Sequence, residues 1–275
     1  MGKPTGPDMA SKIDSAVGGK DNRMKRIIAL VLTVMMITAV MAGCGQEVVS
    51  SGTTEVTSKS ESAADAATPD ETITYEAKST EALLSIDDVP AQNLEAADAD
   101  YQKKSPEAGE AVAILHTNYG DIGFKFFPEV APKAVTSFKA LAEDGRYDNT
   151  IFHRITNPAT SNGMGVIQGG DYTNFNGTGG VSAYGTGFGL EVSDYLSNIE
   201  GSVAMARSTD PNSNGSQFYI NYTNNNSLDG QYTVFGQVYS GMDVVNTIAA
   251  VQTDSGDKPL KDVILEKVEI VEYTE

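Results

Sequence analysis

The sequence predicts a mainly β protein in which residues 110–275 form an antiparallel barrel whose ends are covered by two α-helices. Three observations lead to this prediction. Apolar residues in this region recur mainly with the period of two that is typical of strands, and the strand-like runs are short and separated by Gly and Asn. Only two stretches show the three-to-four spacing of an amphipathic helix.

A β-hairpin begins the predicted domain. In AVAILHTNYGDIGFKFF, residues 111–127, alternating apolar residues lie on both sides of a turn at Tyr119-Gly120-Asp121. We therefore expect two strands joined by that turn. Another strand is predicted in DVILEKVEIVEY, residues 262–273, where apolar residues again share parity.

Two helices are predicted between these strands. The first runs from Pro128 to Asp144, where Pro132 suits a first helical position and Gly145 follows as a stop. The second runs from about Met242 to Val251 and carries its apolar residues on one face. Two helices are too few to form a layer of their own, so we expect them to cap the barrel.

The first 43 residues are predicted to be an N-terminal extension and a bacterial lipoprotein signal peptide. From Met24 the chain reads MKRIIALVLTVMMITAVMAGC: a basic start, an apolar run and small residues before the single cysteine. Met41-Ala42-Gly43-Cys44 resembles a lipobox, which implies that Cys44 becomes the lipid-modified first residue of the mature protein. The alternatives are a permanent transmembrane helix, for which the apolar run is short, and a buried core cysteine, for which no amphipathic pattern exists.

Residues 44–109 are predicted to be a disordered acidic tether. They are rich in Ser, Thr, Ala, Asp and Glu and poor in aromatic residues, so they bury too little apolar surface to offset the entropy of ordering. The formal net charge of −18 argues against a nucleic-acid partner, because phosphate binding needs basic patches. A single cysteine cannot form an intrachain disulfide.

The motifs of the folded domain match one known family in order and spacing. They are FHR at 152–154, QGGD at 168–171, GTGGVSAYG at 177–185, GSVAMAR at 201–207, NSNGSQFYI at 212–220 and LDGQYTVFGQV at 228–238. Together these blocks resemble the cyclophilin family of peptidyl-prolyl isomerases. The resemblance implies a closed eight-stranded antiparallel barrel with two capping helices, and an outer groove that binds an Xaa-Pro segment.

The resemblance also implies roles for individual residues. Arg154 matches the catalytic arginine, and Gln168 matches the glutamine that orients this arginine and the substrate carbonyl. Strand alternation places Phe152 on the same face as Arg154. The expected substrate-binding residues are Phe152, Met164, Val166, Ala206, Arg207, Gln217, Tyr219, Leu228 and Tyr232.

The expected pocket departs from the family pattern in its loop. Gly165-Val166-Ile167 stand where the best-known members have Phe-Met-x, so the pocket phenylalanine is missing unless Met164 replaces it. Ser227 occupies the position of the tryptophan that is tied to cyclosporin sensitivity, so weak cyclosporin binding is expected. The sequence therefore predicts a working isomerase with an altered pocket.

Such a catalyst needs neither a cofactor nor a metal. Rotation about a peptide bond faces a barrier of about 18–20 kcal/mol because the nitrogen lone pair is conjugated, so the enzyme must bind the twisted amide better than either planar form. By resemblance, Arg154 donates a hydrogen bond near the prolyl nitrogen, which is worth about 1.5–3 kcal/mol. The remaining acceleration must come from a dry pocket that holds the ring and from fixing the flanking peptide.

Other functions have less support in the sequence. A Ser-His-Asp hydrolase is disfavoured because the only histidines, His116 and His153, lie in predicted strands and no serine lies in an elbow motif. The same two histidines lack the spacing of metal ligands. The main alternative is a lipid-anchored module or chaperone that binds proline peptides with little or no turnover. A surface scaffold has no positive feature in its favour.

We expect the protein on the extracytoplasmic face of the cell membrane, anchored through lipid at Cys44. Its expected partners are Xaa-Pro segments of unfolded or newly exported proteins, and the domain is expected to be monomeric. No ATP is available outside the cell, so a cofactor-free catalyst of slow prolyl steps suits this location.

Overall fold

The computed structural model describes Gly2 and residues 74–275. The predicted N-terminal extension, the signal peptide, Cys44 and the tether as far as residue 73, except Gly2, lie outside the described residues and stay predictions. Within the described range no helix has the length and hydropathy needed to cross a bilayer.

The described chain is mainly β, as predicted. Its strands are β1 (Ala111–Thr117), β2 (Gly120–Phe126), β3 (Thr150–Ile151), β4 (Arg154–Ile155), β5 (Val166–Gly169), β6 (Ser202–Met205), β7 (Phe218–Asn221), β8 (Val234–Ser240) and β9 (Ile264–Glu272). They form one antiparallel sheet in the order β3-β9-β1-β2-β8-β6-β7-β5-β4. The predicted hairpin is β1 and β2, in which His116 pairs with Asp121 beside the turn.

The prediction of a closed eight-stranded barrel is corrected by this topology. The sheet is curled but open, with nine strands and with β3 and β4 at its two edges. Those edges are consecutive parts of one stretch of chain, separated only by Phe152 and His153. Strand β3 pairs with β9, and β4 pairs with β5. The two edges of the sheet are therefore joined by the covalent chain at residues 152 and 153, and not by a continuous ladder of hydrogen bonds.

The described residues contain two α-helices, in the predicted places but shorter than predicted. Helix α1 covers Pro132–Glu143 and helix α2 covers Met242–Ala249. Pro132 begins α1 because its missing N–H would have no helical partner at that position. Gly241 precedes α2 with a φ of 86°, and a Cβ there would lie 2.3 Å from the Asp121 carbonyl oxygen. Only glycine fits this position.

The N-terminus of α1 is capped by a residue that is distant in sequence. Ala131 occupies the N-cap position and has no side-chain oxygen to accept a hydrogen bond. The buried carboxylate of Glu191 takes this role and accepts hydrogen bonds at 3.0 Å from the backbone N–H groups of Lys133 and Ala134. These hydrogen bonds therefore hold the chain around Glu191, between β5 and β6, against the start of α1.

An aromatic cluster fills the centre of the curled sheet. The Phe138 ring of α1 lies 5.4 Å from Phe124, 5.3 Å from Phe218 and 4.9 Å from Tyr147 between ring centroids. Aromatic pairs at these distances contribute about 0.5–1.5 kcal/mol each beyond the burial of their area. The cluster therefore packs α1 against strands β2 and β7.

Residues 74–109 pack against the domain, whereas the sequence analysis assigned them to the disordered tether. We call these residues the strap. Leu83, Ile86 and Val89 pack on the main core, and the backbone N–H groups of Leu83 and Leu84 donate to the Ala183 carbonyl at 2.7 and 3.1 Å. The sparse aliphatic residues of the strap need no core of their own because they add to an existing one.

The second half of the strap binds the other end of the sheet. The Tyr101 ring lies 5.1 Å from that of Phe127, and the Gln102 side chain bonds both to the Ser197 backbone and to Gln237. Buried Lys125 donates to the Tyr101 carbonyl at 2.9 Å. The strap therefore contributes polar as well as apolar contacts along its length.

Candidate active site

Four neighbouring strands bring the predicted catalytic residues together. Arg154 on β4 pairs directly with Gln168 on β5, and Gln168 pairs with Tyr219 on β7. Tyr219 in turn pairs with Ala204 on β6. Directly opposite residues of antiparallel strands place their side chains about 5 Å apart on the same face. Arg154, Gln168 and Tyr219 therefore form one row across the sheet.

A small cavity of about 140 Å³ lies along this row. We call it the proline cavity. It is lined by Arg154, Met164, Val166, Gln168, Ala206, Arg207, Tyr219, Leu228 and Tyr232. Pockets for drug-sized ligands measure roughly 300–1,000 Å³, so this one suits a single small ring. Every lining residue had been predicted from the sequence as a site residue.

The walls of the proline cavity belong to a second, smaller core. Val166 and Tyr219 are buried in that core, and Met164, Leu228 and Tyr232 pack on it from the surface. The Tyr219 hydroxyl donates to the Asn198 Oδ1 at 2.8 Å, which turns its polar end away from solvent. The cavity therefore combines apolar side chains with the polar side chains of Arg154, Gln168 and Arg207.

Met164 lines the proline cavity next to Gly165, which stands where the family phenylalanine is expected. A Cβ at Gly165 would lie 2.7 Å from the Thr223 Oγ1, so no larger residue fits there without movement. The Thr156 hydroxyl donates to the Met164 carbonyl at 2.9 Å, and the Asn225 amide bonds both the N–H and the carbonyl of Gly165. These contacts hold the loop so that Met164 lines the cavity.

Two predicted substrate-binding residues do not line the proline cavity. Phe152 is buried in the main core, with its ring 6.1 Å from that of Phe218, so the prediction that it shares a face with Arg154 is wrong. Strand alternation fails because the strand is interrupted at residues 152 and 153. Gln217, the other residue, lines a neighbouring cavity of about 310 Å³.

Gln217 nevertheless acts on the site through hydrogen bonds. Its Nε2 donates at 2.9 Å to the carbonyl oxygens of both Gly177 and Gly179, which can only accept. Its Oε1 must therefore face Gln168, and it accepts from the Gln168 Nε2 at 3.0 Å. This chain of bonds leaves the Gln168 Oε1 as an acceptor for Arg154 or for a substrate N–H.

Asp171 of the QGGD motif organises the loop that orients Gln217. Its carboxylate accepts backbone N–H bonds from Asn174 at 2.9 Å, from Gly177 at 2.9 Å and from Gly179 at 3.0 Å. Burial alone raises the pKa of Asp171, but these N–H groups outweigh it and hold the pKa below its ordinary value. The carboxylate therefore stays ionised and keeps the loop closed on itself.

Arg154 has an acidic partner that sequence reasoning missed. Its Nη2 lies 3.3 Å from the Asp257 Oδ2, and the side chains are 39% and 25% exposed. Asp257 also accepts a backbone bond at 2.8 Å from the Ile155 N–H. The sequence around Asp257 indicates only a turn, Ser255-Gly256-Asp257, and nothing in it points to Arg154. In the structure Asp257 has a φ of 65°.

Arg207 also lines the proline cavity, and its guanidinium is held by contacts with the domain. Its guanidinium lies 4.7 Å from the Tyr232 ring centroid and donates at 2.8 Å to the carbonyls of Gln231 and Ser208. The Ala206 N–H donates to the Gln217 carbonyl, whereas the Arg207 N–H has no partner among the residues that the structure describes. That free donor can pair with an extended peptide.

His153 is a buried residue without hydrogen bonds. Neither ring nitrogen has a partner within residues 74–275, although the residue is only 6% exposed. Burial lowers the pKa of His153 to about 4, so the ring is neutral at pH 7. A Cβ at Gly177 would lie 2.8 Å from its Nε2, which shows how closely the loop packs on it.

Residues 112–270 match the family described as cyclophilin type peptidyl-prolyl cis-trans isomerase/CLD. The chain belongs to the cyclophilin family. It is therefore an isomerase of the peptidyl-prolyl cis-trans class, in agreement with the row of site residues. The strap lies outside the part that matches the family.

Known cyclophilins resemble this domain in sequence and in structure. Peptidyl-prolyl cis-trans isomerase 9 of Schizosaccharomyces pombe is 44% identical over 162 residues, which are 59% of this chain and 25% of that protein. Peptidyl-prolyl cis-trans isomerase CYP18-1 of Arabidopsis thaliana is 44% identical over 57% of this chain and 93% of its own length. A Cryptosporidium parvum cyclophilin, crystallised in the presence of the dipeptide Ala-Pro, superposes with a TM-score of 0.54 and 36% identity over 60% of this chain and 99% of its own.

Proposed function

We propose that this cyclophilin isomerises Xaa-Pro bonds of unfolded, exported polypeptides while it is anchored at the cell surface through a lipid on Cys44. The observation that carries the catalytic part is that Arg154 lines the proline cavity together with the apolar side chains of Met164 and Leu228. The Ala-Pro dipeptide present with the Cryptosporidium parvum relative supports a prolyl ligand.

The proposed mechanism needs only binding and orientation. A proline ring enters the apolar cavity between Met164 and Leu228 and is held there away from water. Arg154 then donates a hydrogen bond toward the prolyl nitrogen, which favours the pyramidal nitrogen of the twisted amide over the conjugated planar one. The residue before proline rotates while the ring stays fixed.

Two neighbours make this arrangement rigid enough to catalyse. Gln168, oriented by Gln217, can accept a bond from the arginine or from the substrate backbone. The free N–H of Arg207 lies at the edge of the cavity, where an extended peptide can pair with it. Fixing the peptide in this way removes rotational freedom before the reaction and so lowers the barrier.

The catalytic proposal is tested by exchange spectroscopy on a short Ala-Pro peptide with the wild type, Arg154→Ala and Arg154→Lys. Loss of one charge-assisted hydrogen bond, worth about 1.5–3 kcal/mol, lowers kcat/KM roughly 10- to 100-fold in Arg154→Ala. Arg154→Lys keeps the charge but not the planar fork, so it restores only part of the rate. A wild-type rate at the uncatalysed level would refute the proposal.

The second candidate function is a proline-peptide-binding module with little turnover. The altered pocket loop favours it, because Gly165 stands where an aromatic ring is expected and a flexible methionine lines the cavity beside it. The same spectra distinguish the two functions. A binder shifts the resonances of the peptide without exchange between its cis and trans signals, whereas an isomerase produces that exchange.

The surface location is supported by the signal-like sequence before Cys44 and is tested separately. In cells that express the full chain, Cys44→Ala is expected to move the protein from the membrane fraction to the soluble fraction. An unchanged distribution between the two fractions would refute the lipid anchor and leave the catalytic proposal unaffected.

A further inference from the structure

A third cavity adjoins the proline cavity. Its volume is about 390 Å³, and it shares Arg154, Gln168 and Arg207 with the proline cavity. The part that the proline cavity does not use is lined by His153, Asn176 and Lys258, with backbone from Gly177 and Gly256. We call this space the cationic cavity. A peptide whose proline ring fills the proline cavity can reach it with a neighbouring side chain.

The charge of this cavity is unlike that of the protein. The chain has 19 Lys and Arg against 37 Asp and Glu, yet the cavity is lined by three cations, Arg154, Arg207 and Lys258, and by no carboxylate. Lys258 is exposed, and its ammonium makes no hydrogen bond or salt bridge within the described part of the chain. It is therefore available to a ligand.

The acidic residues near the cavity are already paired with groups of the domain. Asp257 faces Arg154 at 3.3 Å, which occupies only one of the guanidinium nitrogens. Asp254 accepts the backbone N–H groups of Gly256 and Lys258 at 2.8 and 3.0 Å. Asp171 is bonded to the backbone of its own loop. None of these carboxylates lines the cavity.

His153 forms a buried wall of the cationic cavity. The residue is 6% exposed, and both ring nitrogens are buried with no hydrogen-bond partner among the described residues. The imidazole therefore closes the cavity without presenting an accessible polar atom to a ligand, and the cations remain the charged groups of the lining.

We propose that the cationic cavity binds the carboxylate of an Asp or Glu side chain that lies within a few residues of the isomerised proline. The domain thus prefers acidic proline segments among its substrates. Lys258 lines only the cationic cavity, so its positive charge is not engaged by the bound proline. Arg154 lines both cavities. This inference rests on the proposed isomerase function for its substrate and adds a specificity to it.

The test uses the purified full chain and a panel of short proline peptides. Each position around the proline carries Glu, Gln or Lys in turn, and both kcat/KM and the dissociation constant are measured at low ionic strength. At one position at least, we expect Glu to exceed Gln by about fivefold, the size of a partly exposed ion pair worth about 1 kcal/mol. This ratio falls as salt is added.

Lys258→Gln is the decisive variant, and Lys261→Gln is its matched control on the exposed surface of the same segment. We expect the Glu-to-Gln ratio to fall below about twofold in Lys258→Gln and to be retained in Lys261→Gln. Equal turnover and equal affinity of all peptides, or a Glu preference that survives Lys258→Gln, would overturn the proposal. If no peptide is turned over, the isomerase function fails, and the Glu-to-Gln ratio of dissociation constants still decides the cationic cavity.

Discussion

The buried imidazole of His153 makes the stability of the domain depend on pH in a predictable direction. Burial lowers its folded-state pKa to about 4, whereas an unfolded chain has a histidine pKa of about 6.5. Between these values the unfolded chain binds more protons than the folded one, so the free energy of unfolding falls as the pH falls. The stabilisation is complete above the unfolded pKa and is lost toward the folded pKa.

The magnitude follows from the two pKa values. Their difference corresponds to about 3.4 kcal/mol when the pH lies below both, and about 2 kcal/mol of this is already lost at pH 5. We expect urea unfolding of the wild type to show this loss between pH 7.5 and pH 5, relative to His153→Leu, which cannot titrate. His153→Gln serves as a second non-titrating variant if the leucine disturbs folding.

The comparison with a variant removes the effect of every other titrating group. His116 is the most important of these, because it lies 2.8 Å from Asp121 and 3.4 Å from Glu269. Burial alone lowers the pKa of His116, but the two carboxylates outweigh it and raise the pKa above its usual value. His116 therefore stabilises the fold at low pH and loses this contribution as the pH rises, in both proteins. If the stability difference between the wild type and His153→Leu is the same at both pH values, the argument from burial is wrong.

Four further predictions follow from other contacts. Glu191→Ala removes the acceptor of two N–H groups at the start of α1, so we expect a loss of about 1–2 kcal/mol in urea unfolding, with exposed Glu200→Ala as a control that changes little. Removal of residues 1–109 exposes the core that Leu83, Ile86 and Val89 cover and should lower the free energy of unfolding by roughly 3 kcal/mol or more; an unchanged value would show that the strap is dispensable. Gln217→Leu breaks the bond that orients Gln168 and should lower kcat about tenfold, whereas Gln231→Leu should not; equal rates would exclude a positioning role. Ser227→Trp supplies an indole where Ser227 is exposed, so we expect tighter cyclosporin binding in calorimetry than for the wild type, and equal affinity would refute this.

The features that could be predicted from the sequence have local signals. Helix α1 has a proline at its first residue, an apolar face and a glycine after its end, and the hairpin has alternating residues around a turn. The residues of the proline cavity were predicted because motif blocks at fixed spacing mark them, although they come from separate strands. Their catalytic and binding roles stay predictions until the variants are measured.

The features that were missed depend on contacts between distant residues. Asp257 meets Arg154 across 103 positions, and no periodicity in either segment indicates that contact. The strap has no core of its own, so its composition resembles that of a disordered chain, and only packing against the core of the curled sheet makes its order favourable. The face of Phe152 was wrong because alternation presumes an uninterrupted strand, whereas this one changes partners at residues 152 and 153.

The position of the strap also limits how far an anchored domain could travel. Its first described part is held to the domain near the site loop, where the Tyr75 ring lies 5.2 Å from Phe175 and its hydroxyl donates to Asp262 at 2.6 Å. If Cys44 carries the anchor, 30 residues from Cys44 through Ile73 separate the anchor from this part, and a chain of that length extends to about 100 Å at most. The catalytic groove would then reach only substrates that lie within about 100 Å of the anchor.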